Sequence, residues 1–379
     1  MTKGPVRQVM LAIKRLLDRF RHVFDIYSLL IWIWPGSKTT ILRLLGTLVT
    51  DDATVQGSIR VWEPAWFQIN GGSHIDGIAI KRNAVCLVDN NASVTDADVT
   101  EDTLFLKDRV LVGEPLPGSY VTISIDLEGA VALAHAGRQD FERLRPLWMQ
   151  EKTSAQRLRD LFVKHHIPVT WAVCGHLFLD SCDGRHPFDE HNWNGPWFTH
   201  DPATDYQRNP DWYMPDFIQE LIDEPLFEVG YHTFGHFRYP QTSTNTIRTD
   251  MALADEIRKS WDIPLESFVY PYNETAAIDL VVQHGFKNLR GYIGQYYAAK
   301  TIQFNDFRYF VTSQFLGPET VAGCSARINE IAGQHFNYFT HPFDWLSDSD
   351  FEYFERFLTA LSKSRERDHI RISTFADAV

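Results

Sequence analysis

Residues 227–236 spell FEVGYHTFGH, a short apolar segment that ends in two histidines, His232 and His236, four positions apart. On one turn of a helix, residues i and i+4 lie on the same face. Two imidazoles placed in this way can bind one divalent metal ion. Because most isolated histidine pairs with this spacing are ordinary surface or core residues, the metal-site hypothesis depends on which other side chains accompany them.

Two further strand-like segments also end in side chains that carry chemistry. The segment that begins at Val121 ends in Asp126, with Glu128 two positions later, and the segment that begins at Asn337 is followed by His341. In a regular strand, residues i and i+2 face the same side, so both carboxylates can reach one site. The sequence therefore predicts that two acids and three histidines meet at neighbouring strand ends.

Strand-like and helix-like segments alternate from residue 121 onward. The predicted strands are 121–126, 168–174, 227–232, 267–271, 337–340 and 370–374. The predicted helices are 153–165, 215–223, 244–261, 276–284 and 350–364. Such alternation predicts an α/β fold with a parallel sheet, either open or closed into a barrel. In a barrel of this kind, the active site lies at the C-terminal ends of the strands.

The ordered set of motifs resembles the polysaccharide deacetylase family, the metal-dependent carbohydrate esterases of family 4 with a NodB-type domain. Two more segments carry the resemblance: residues 161–176, which read as a helix leading into a strand, and the turn Pro271-Tyr272. The resemblance covers about residues 119–379. It implies a distorted (β/α) barrel that removes an N-acyl group, such as acetyl, from an amino sugar in a polysaccharide, glycolipid or sugar precursor.

The resemblance also implies a metal centre formed by Glu128, His232 and His236. The expected ion is divalent, and zinc suits a set of two imidazoles and one carboxylate. Three protein ligands leave positions for water and substrate, which is typical of a catalytic site. The family pattern has two adjacent aspartates, whereas Leu127 separates Asp126 from Glu128 here, so an exchange of roles between these two acids remains open.

Three residues are expected to take part in the reaction itself. Asp126 is the expected general base, and His341 is the expected acid that protonates the leaving amine. Backbone N–H groups near Tyr272 are expected to stabilise the oxyanion. The family carries an arginine two residues before the proline of this turn, but Val269 occupies that position. Another group must therefore hold Asp126.

A long insertion at residues 177–226 is rich in aromatic residues and histidines among Asp, Asn and Pro. Aromatic faces bordered by polar side chains suit sugar rings. The predicted substrate-binding residues are Trp193, Trp197, Trp212, Tyr213 and, outside the insertion, Trp345. A lid over the site or a contact with a second subunit is an equally open interpretation of the insertion.

The region before the predicted barrel divides into two parts. Apolar residues recur at helical spacing between Val6 and Tyr27 and predict an amphipathic N-terminal helix within residues 1–37. Its basic polar face could contact an anionic membrane surface, although packing on this protein or on a second subunit is the alternative. Residues 38–115 are predicted to form a small β-rich module of unknown role, in which we find no internal repeat.

Composition narrows the functional classes. The chain has 379 residues and a formal net charge of -13, which argues against nucleic-acid binding. Its four cysteines show no zinc-ribbon spacing. Cys174 and Cys182 could pair, but free thiols are expected. No secretory signal is recognisable, so a cytoplasmic location is expected, with peripheral membrane contact as an open addition.

Three functions follow from these observations. The first is a metal-dependent carbohydrate N-deacetylase. The second is a metal-free or differently specific hydrolase of C–N bonds, since a metal-free branch of the same superfamily exists. The third is a barrel that binds glycans without catalysis. The intact pair of His232 and His236 favours the first function.

Overall fold

The structure, a computed structural model, describes residues 30–31, 36–62, 66–81, 84–188, 191–192, 195–292, 300–328, 333–368 and 370–378. The predicted amphipathic helix lies almost wholly outside these residues, and Trp193 also lies outside them. Within them, no helix has both the length and the apolar character that crossing a bilayer requires.

The region between residues 38 and 115 is a helix followed by short strands that stack as the chain winds round. Its elements are α1 (Lys38–Leu45), β1 (Leu48–Val49), β2 (Thr54–Val61), β3 (Phe67–Ile69), β4 (His74–Ile80), β5 (Cys86–Val88), β6 (Ser93–Val99), β7 (Asp102–Phe105) and β8 (Val110–Pro115). Strands β1, β3, β5 and β7 pair in parallel in one sheet, and β2, β4 and β6 pair in parallel in another. The region is therefore a short parallel β-solenoid, which we call the solenoid.

The expectation that this region lacks an internal repeat is wrong. Residues 50–55 (TDDATV), 70–75 (NGGSHI) and 89–94 (DNNASV) occupy equivalent corners of successive turns, because Thr54 pairs with His74 and His74 with Ser93. Each turn takes about twenty residues, a repeat length known from other solenoids. The corners share a backbone path and small or polar residues instead of identical ones, and so the repeat is hard to see in the sequence.

The rest of the described chain forms the predicted distorted barrel. Its strands, with a short hairpin in the insertion, are β9 (Tyr120–Leu127), β10 (Val169–Val173), β11 (His191–Asn192), β12 (Gly195–Pro196), β13 (Phe227–Tyr231), β14 (Ser267–Glu274), β15 (Asn288–Tyr292), β16 (Lys300–Gln303), β17 (Arg308–Val311), β18 (Gln314–Phe315), β19 (His335–Thr340) and β20 (Arg371–Ser373). Its helices are α2 (Arg138–Trp148), α3 (Glu151–Lys164), α4 (Pro215–Ile222), α5 (Thr244–Ser260), α6 (Ile278–Gln283), α7 (Val321–Arg327) and α8 (Asp348–Asp368).

Parallel pairing in the order β17-β15-β14-β13-β10-β9-β19 makes the barrel wall. Each predicted strand and helix of this region is present, with bounds that differ by a few residues. Strands β15 to β18 and helices α2 and α7 were not expected, and apart from the eleven-residue α2 they are all short. Asn337 on β19 links the two ends of this order, since its Nδ2 donates a hydrogen bond to Val311 O on β17 at 2.8 Å.

A buried carboxylate joins the solenoid to the barrel. Asp89, in a solenoid corner, accepts hydrogen bonds from Ala277 N at 3.0 Å and from Ile278 N at 2.8 Å. These N–H groups begin α6 and have no partner within the helix. Asn70, at the equivalent corner, donates to Thr275 O at 3.1 Å. The solenoid therefore supplies the N-terminal cap of a barrel helix.

Replacing Asp89 by Ala should lower the free energy of unfolding by about 0.5–2 kcal/mol, the usual cost of removing an N-terminal cap. Chemical denaturation measures the loss. Asp98→Ala is the matched control, because Asp98 is exposed on the same solenoid and forms only a 3.6 Å surface pair with Lys81. It should change stability by less than about 0.5 kcal/mol. Equal effects of the two variants would contradict the capping role.

Candidate active site

The C-terminal ends of three barrel strands bring the predicted site residues together. Asp126 and Glu128 lie at the end of β9, His232 follows β13, and His341 follows β19. His341 Nε2 lies 3.8 Å from Asp126 Oδ2 and 3.5 Å from Glu128 Oε1. His232 Nε2 lies 4.0 Å from the same oxygen of Asp126. The strand order thus builds one compact polar cluster at the expected edge of the barrel.

The two histidines of the FEVGYHTFGH segment face each other, but not on a helix. The expectation of a helical turn is wrong, because Thr233 and His236 both have φ of 57°, in the left-handed region. The turn is fixed by side-chain hydrogen bonds, and Phe234 N donates to the buried Asp250 Oδ1 at 2.7 Å. The ring centroids of His232 and His236 are 5.1 Å apart. A strained turn therefore places the imidazoles as closely as a helix would.

Glu128, His232 and His236 have the arrangement of a metal-binding set. Glu128 Oε1 lies 3.2 Å from His236 Nε2 and 3.7 Å from His232 Nε2. His232 Nδ1 lies 2.8 Å from the carbonyl oxygen of Val269, which fixes the tautomer with the Nε2 lone pair directed toward Glu128. Both Nε2 atoms are buried without a hydrogen-bond partner. Buried imidazole nitrogens of this kind fit a metal ion that the two histidines and the carboxylate would hold together.

The charge of Glu128 agrees with this arrangement. Burial by itself would raise the pKa of this carboxyl group, but His236, His232 and His341 together hold it well below its usual range. The carboxylate is therefore ionised at neutral pH. An ionised carboxylate is the form that binds a divalent cation.

Arg290 on β15 holds Asp126. Its Nη1 donates to Asp126 Oδ1 at 2.8 Å and its Nη2 donates to Asp126 Oδ2 at 2.7 Å, a bidentate pair with both side chains almost fully buried. Val269 occupies the position at which the deacetylase family was expected to carry an arginine. It is paired in register with Arg290 on the neighbouring strand, so Arg290 lies one strand away from that position. The segment 288–292 (NLRGY) shows no apolar period, and so no sequence signal identified Arg290.

His341 is held in place by Asp344, three residues later. His341 Nδ1 lies 2.8 Å from Asp344 Oδ2, and the backbone N–H of His341 donates to the same oxygen at 3.1 Å. Burial would lower the pKa of His341, but the hydrogen bond to Asp344 and the charges of Glu128 and Asp126 raise it to about 9. Both ring nitrogens of His341 are therefore protonated at neutral pH, and Nε2 faces the cluster.

Glu151, at the start of α3, fixes the chain after β9. Its carboxylate accepts hydrogen bonds from Glu128 N at 3.1 Å and Gly129 N at 2.5 Å. Burial and the charge of Glu128 raise the pKa of Glu151 to about 8. Gly129 has φ of 59°, and a Cβ there would lie 2.6 Å from Asp211 O. Glu151 was missed in the sequence because a glutamate in the first turn of a helix is common.

Tyr272 lies beside the cluster in an irregular part of β14. Tyr272 and Asn273 have φ of 58° and 57°, and the pairing of β14 with β15 shifts register here. The Tyr272 ring lies 4.7 Å from the His236 ring, between centroids, and the guanidinium carbon of Arg238 lies 4.5 Å from the Tyr272 ring centroid. The side chain is 37% exposed. The Pro-Tyr turn therefore borders the cluster on its open side.

The predicted aromatic platform is largely wrong. Trp212, Tyr213 and Trp345 are fully buried, so their rings have no face available to a sugar. Trp345 Nε1 donates to Thr340 Oγ1 at 2.7 Å, which is a core role. Aromatic residues are as common in cores as in sugar sites, and composition does not separate the two uses.

Trp197 lies near the cluster but is also mostly buried. Its Nε1 donates to Gly235 O at 2.7 Å, and its ring stacks on His135 with centroids 5.1 Å apart. Trp197 therefore supports the turn that carries the two histidines. Phe343, which was not predicted, stacks on the His341 ring at 4.7 Å and is partly exposed. Phe343, Tyr272 and Phe315, whose ring lies 6.0 Å from that of His341, are at least partly exposed aromatic side chains beside the cluster.

Comparison with known proteins gives structural but no sequence matches. No protein-family model matches the chain, and no curated protein matches it in sequence. Among solved structures, one from Mycobacterium smegmatis described as a polysaccharide deacetylase is 12% identical, with a TM-score of 0.52 over 69% of this chain and 93% of that one. An allantoinase is 10% identical, with a TM-score of 0.48 over 68% and 89% of the two chains.

A family 4 carbohydrate esterase from Streptomyces lividans is 11% identical, with a TM-score of 0.37 over 67% of this chain and 91% of that one. Identities this low show the fold alone. The predicted fold class is confirmed: the chain has the distorted (β/α) barrel of NodB-type polysaccharide deacetylases.

The variants His232→Ala and His236→Ala should each bind one equivalent of metal less than wild type, because the two ligands that remain hold a cation weakly. Metal analysis of zinc-loaded, desalted protein measures this loss. His200→Ala is the control, since His200 lies in the insertion and its Nε2 bonds to Ala136 O at 2.7 Å. Full occupancy in the His232→Ala protein would show that the metal lies elsewhere.

Arg290→Val should abolish turnover and lower stability by about 3–5 kcal/mol, because it leaves the Asp126 carboxylate buried and unpaired. The double variant Val269→Arg, Arg290→Val returns the arginine to the neighbouring strand at the same register. It should recover part of the turnover and part of the stability that Arg290→Val loses. Val269→Arg alone, which keeps Arg290, should raise neither above the wild-type value. Denaturant titration measures the stability, and hydrolysis of the substrate proposed below measures the turnover. No recovery in a folded double variant would mean that Arg290 does more than hold Asp126.

Proposed function

We propose that this protein is a metal-dependent hydrolase that removes an N-acetyl group from an amino sugar in a glycan. The observation that supports the proposal most directly is the buried set of Glu128, His232 and His236, whose imidazole Nε2 atoms face one carboxylate and lack hydrogen-bond partners. A divalent ion held there would polarise the amide carbonyl and make water a stronger nucleophile. Zinc suits these three ligands.

Asp126 and His341 would carry the proton transfers. Asp126 has both oxygens bound to Arg290 but still faces the cluster, and we assign it as the base that receives the proton of the attacking water. His341, protonated at neutral pH and oriented by Asp344, would then give its Nε2 proton to the leaving amine. The shorter contact of Glu128 with His236 supports Glu128 as the metal ligand and argues against an exchange of roles.

A large cavity supports an extended substrate. It has a volume of about 990 Å³ and lies between the solenoid corners and the barrel loops after β13 and β14. None of the cluster residues lines it. Arg238 and Glu274 line it, however, and Arg238 also packs over Tyr272 beside the cluster. If a glycan chain bound in this cavity, one of its sugars would lie close to the cluster.

The alternative functions are less well supported. A metal-free C–N hydrolase has no need for three converging metal ligands. A barrel that only binds glycans has no need for a protonated His341 facing a carboxylate that an arginine holds in two hydrogen bonds. Both functions remain possible outcomes of the experiment below.

The test is acetate release by the zinc-loaded protein from N-acetylglucosamine oligomers of increasing length, with allantoin as a second substrate. We expect acetate from the longer oligomers, faster than from the monosaccharide, and no reaction with allantoin. Chelation should stop the reaction and zinc should restore it.

Two variants act as controls for the assignment. Asp126→Asn should keep the metal and lose activity. His341→Ala should also keep the metal and lose about 10²–10⁴-fold in turnover, the usual contribution of a general acid. Glycan binding without acetate release, under conditions where the cluster holds metal, would overturn the deacetylase proposal in favour of a binding protein.

A further inference from the structure

A second set of potential ligands lies outside the candidate active site, where the insertion meets the barrel. We propose that His176, Cys182, His186 and Asp201 bind a structural zinc ion that fastens the insertion to the barrel. The proposal is independent of the deacetylase reaction, because none of these residues belongs to the first cluster. Their spacing in the sequence did not suggest a site. The cysteines form no metal-binding motif, and single histidines in loops are common.

The four ligand atoms converge on one point. Asp201 Oδ2 lies 3.0 Å from His176 Nε2, 2.6 Å from His186 Nε2 and 3.2 Å from Cys182 Sγ. The sulfur lies 3.9 Å and 4.0 Å from the two imidazole nitrogens. Zinc bonds of about 2.0–2.3 Å in a tetrahedron place ligand atoms roughly 3.2–3.8 Å apart. The observed separations of 2.6–4.0 Å lie on both sides of this range, and a bound ion would have to move His186 Nε2 and Asp201 Oδ2 apart from 2.6 Å.

The hydrogen bonds around the set leave the ligand atoms directed inward. His176 Nδ1 lies 3.0 Å from Trp212 O, and since a carbonyl only accepts, Nδ1 carries the hydrogen. In a neutral ring, His176 Nε2 then presents a lone pair to Asp201 Oδ2, which is also an acceptor. Two acceptors at 3.0 Å need a positive charge between them, which either a metal ion at the set or a second proton on the ring supplies. Imidazole bound to a carbonyl through one nitrogen and to zinc through the other is a common arrangement.

The two carboxylate oxygens of Asp201 have different partners. Its Oδ1 accepts hydrogen bonds from Tyr213 OH at 3.1 Å and Ala203 N at 2.8 Å, which leaves Oδ2 for the set. The side chain is 1% exposed. Among the residues that the structure describes, no lysine or arginine forms an ion pair with it. Its possible cationic partners are His176 and His186, which pair with Oδ2 as ions only when protonated. A divalent ion at the set would supply the positive charge while both rings stay neutral.

The composition of the set favours zinc and a structural role. Two neutral imidazoles, one thiolate and one carboxylate carry two negative charges, which balance one divalent ion. Gly184 N donates to Cys182 Sγ at 3.3 Å, a contact that stabilises a thiolate. Soft sulfur with imidazole selects zinc over magnesium or calcium. Four protein ligands leave no open position, in contrast to the three of the first cluster.

The position of the set explains why the barrel would need it. His176 follows β10, and its backbone N–H donates to Phe234 O at 3.1 Å, while Gly175 N donates to Thr233 O at 2.9 Å. These carbonyls belong to the strained turn that carries His232 and His236. A zinc ion at the set would tie the insertion to this turn and hold it in shape. Trp212 and Tyr213, which were expected to bind sugar, instead support the zinc ligands.

Cobalt substitution tests the proposal in the wild-type chain. Metal-free protein titrated with Co²⁺ should develop a thiolate-to-cobalt charge-transfer band in the near ultraviolet together with the intense visible bands of tetrahedral cobalt. The first cluster has only oxygen and nitrogen ligands and gives no thiolate band. A cobalt spectrum without this band would overturn the proposal, whatever happens at the first cluster.

Variants then locate the ion. In the His232→Ala background, which isolates the second set, the protein should retain one equivalent of zinc. Adding Cys182→Ser or His186→Ala should reduce it well below one, and the controls Cys324→Ser and His200→Ala should not. Limited proteolysis should cut the insertion faster in the two ligand variants and in chelated wild type. Unchanged zinc content in folded Cys182→Ser protein, judged by circular dichroism, would show that the four groups are linked by hydrogen bonds alone.

Discussion

The bidentate ion pair between Asp126 and Arg290 is the interaction on which the candidate site depends. A buried carboxylate is stable only with a partner, and here the arginine satisfies both oxygens from the opposite part of the barrel wall. Held in this way, Asp126 lies beside His341, whose Nε2 is 3.8 Å from its Oδ2. The pair also ties β9 to β15, which are not neighbours in the sheet. The geometry of the candidate site and the stability of the barrel therefore depend on the same contact.

Backbone strain is concentrated around the same cluster. Thr233, His236, Tyr272 and Asn273 all have positive φ, and none of them is a glycine. Conformations of this kind cost free energy and persist only where the surrounding structure fixes them. Here the fixing contacts are the hydrogen bond from Phe234 N to Asp250 and those from the chain after β10. Rigid strands on each side thus hold two irregular turns whose side chains face one point.

The solenoid and the insertion extend the barrel in different directions. The solenoid adds a capped helix through Asp89 and, with the loops after β13 and β14, encloses the large cavity beside Tyr272. The insertion packs its aromatic residues into a core around the second ligand set, where Trp212 and Tyr213 are fully buried.

The sequence by itself determined a parallel α/β sheet and the edge at which the cluster forms, while the closed barrel was implied by the resemblance to the deacetylase family. Alternating periods of apolar residues specify strands and helices locally, and parallel strands bring Asp126, His232 and His341 to one edge regardless of the loops between them. Only the tertiary structure decided which arginine holds Asp126 and which aromatic residues are buried. It also decided that His176, after β10, meets three residues of the insertion. Those outcomes depend on contacts between residues far apart in the chain, such as the 164 positions between Arg290 and Asp126, and such contacts leave no local period to detect. The solenoid repeat was hidden for a related reason, since its corners preserve a backbone path that several small or polar residues can adopt.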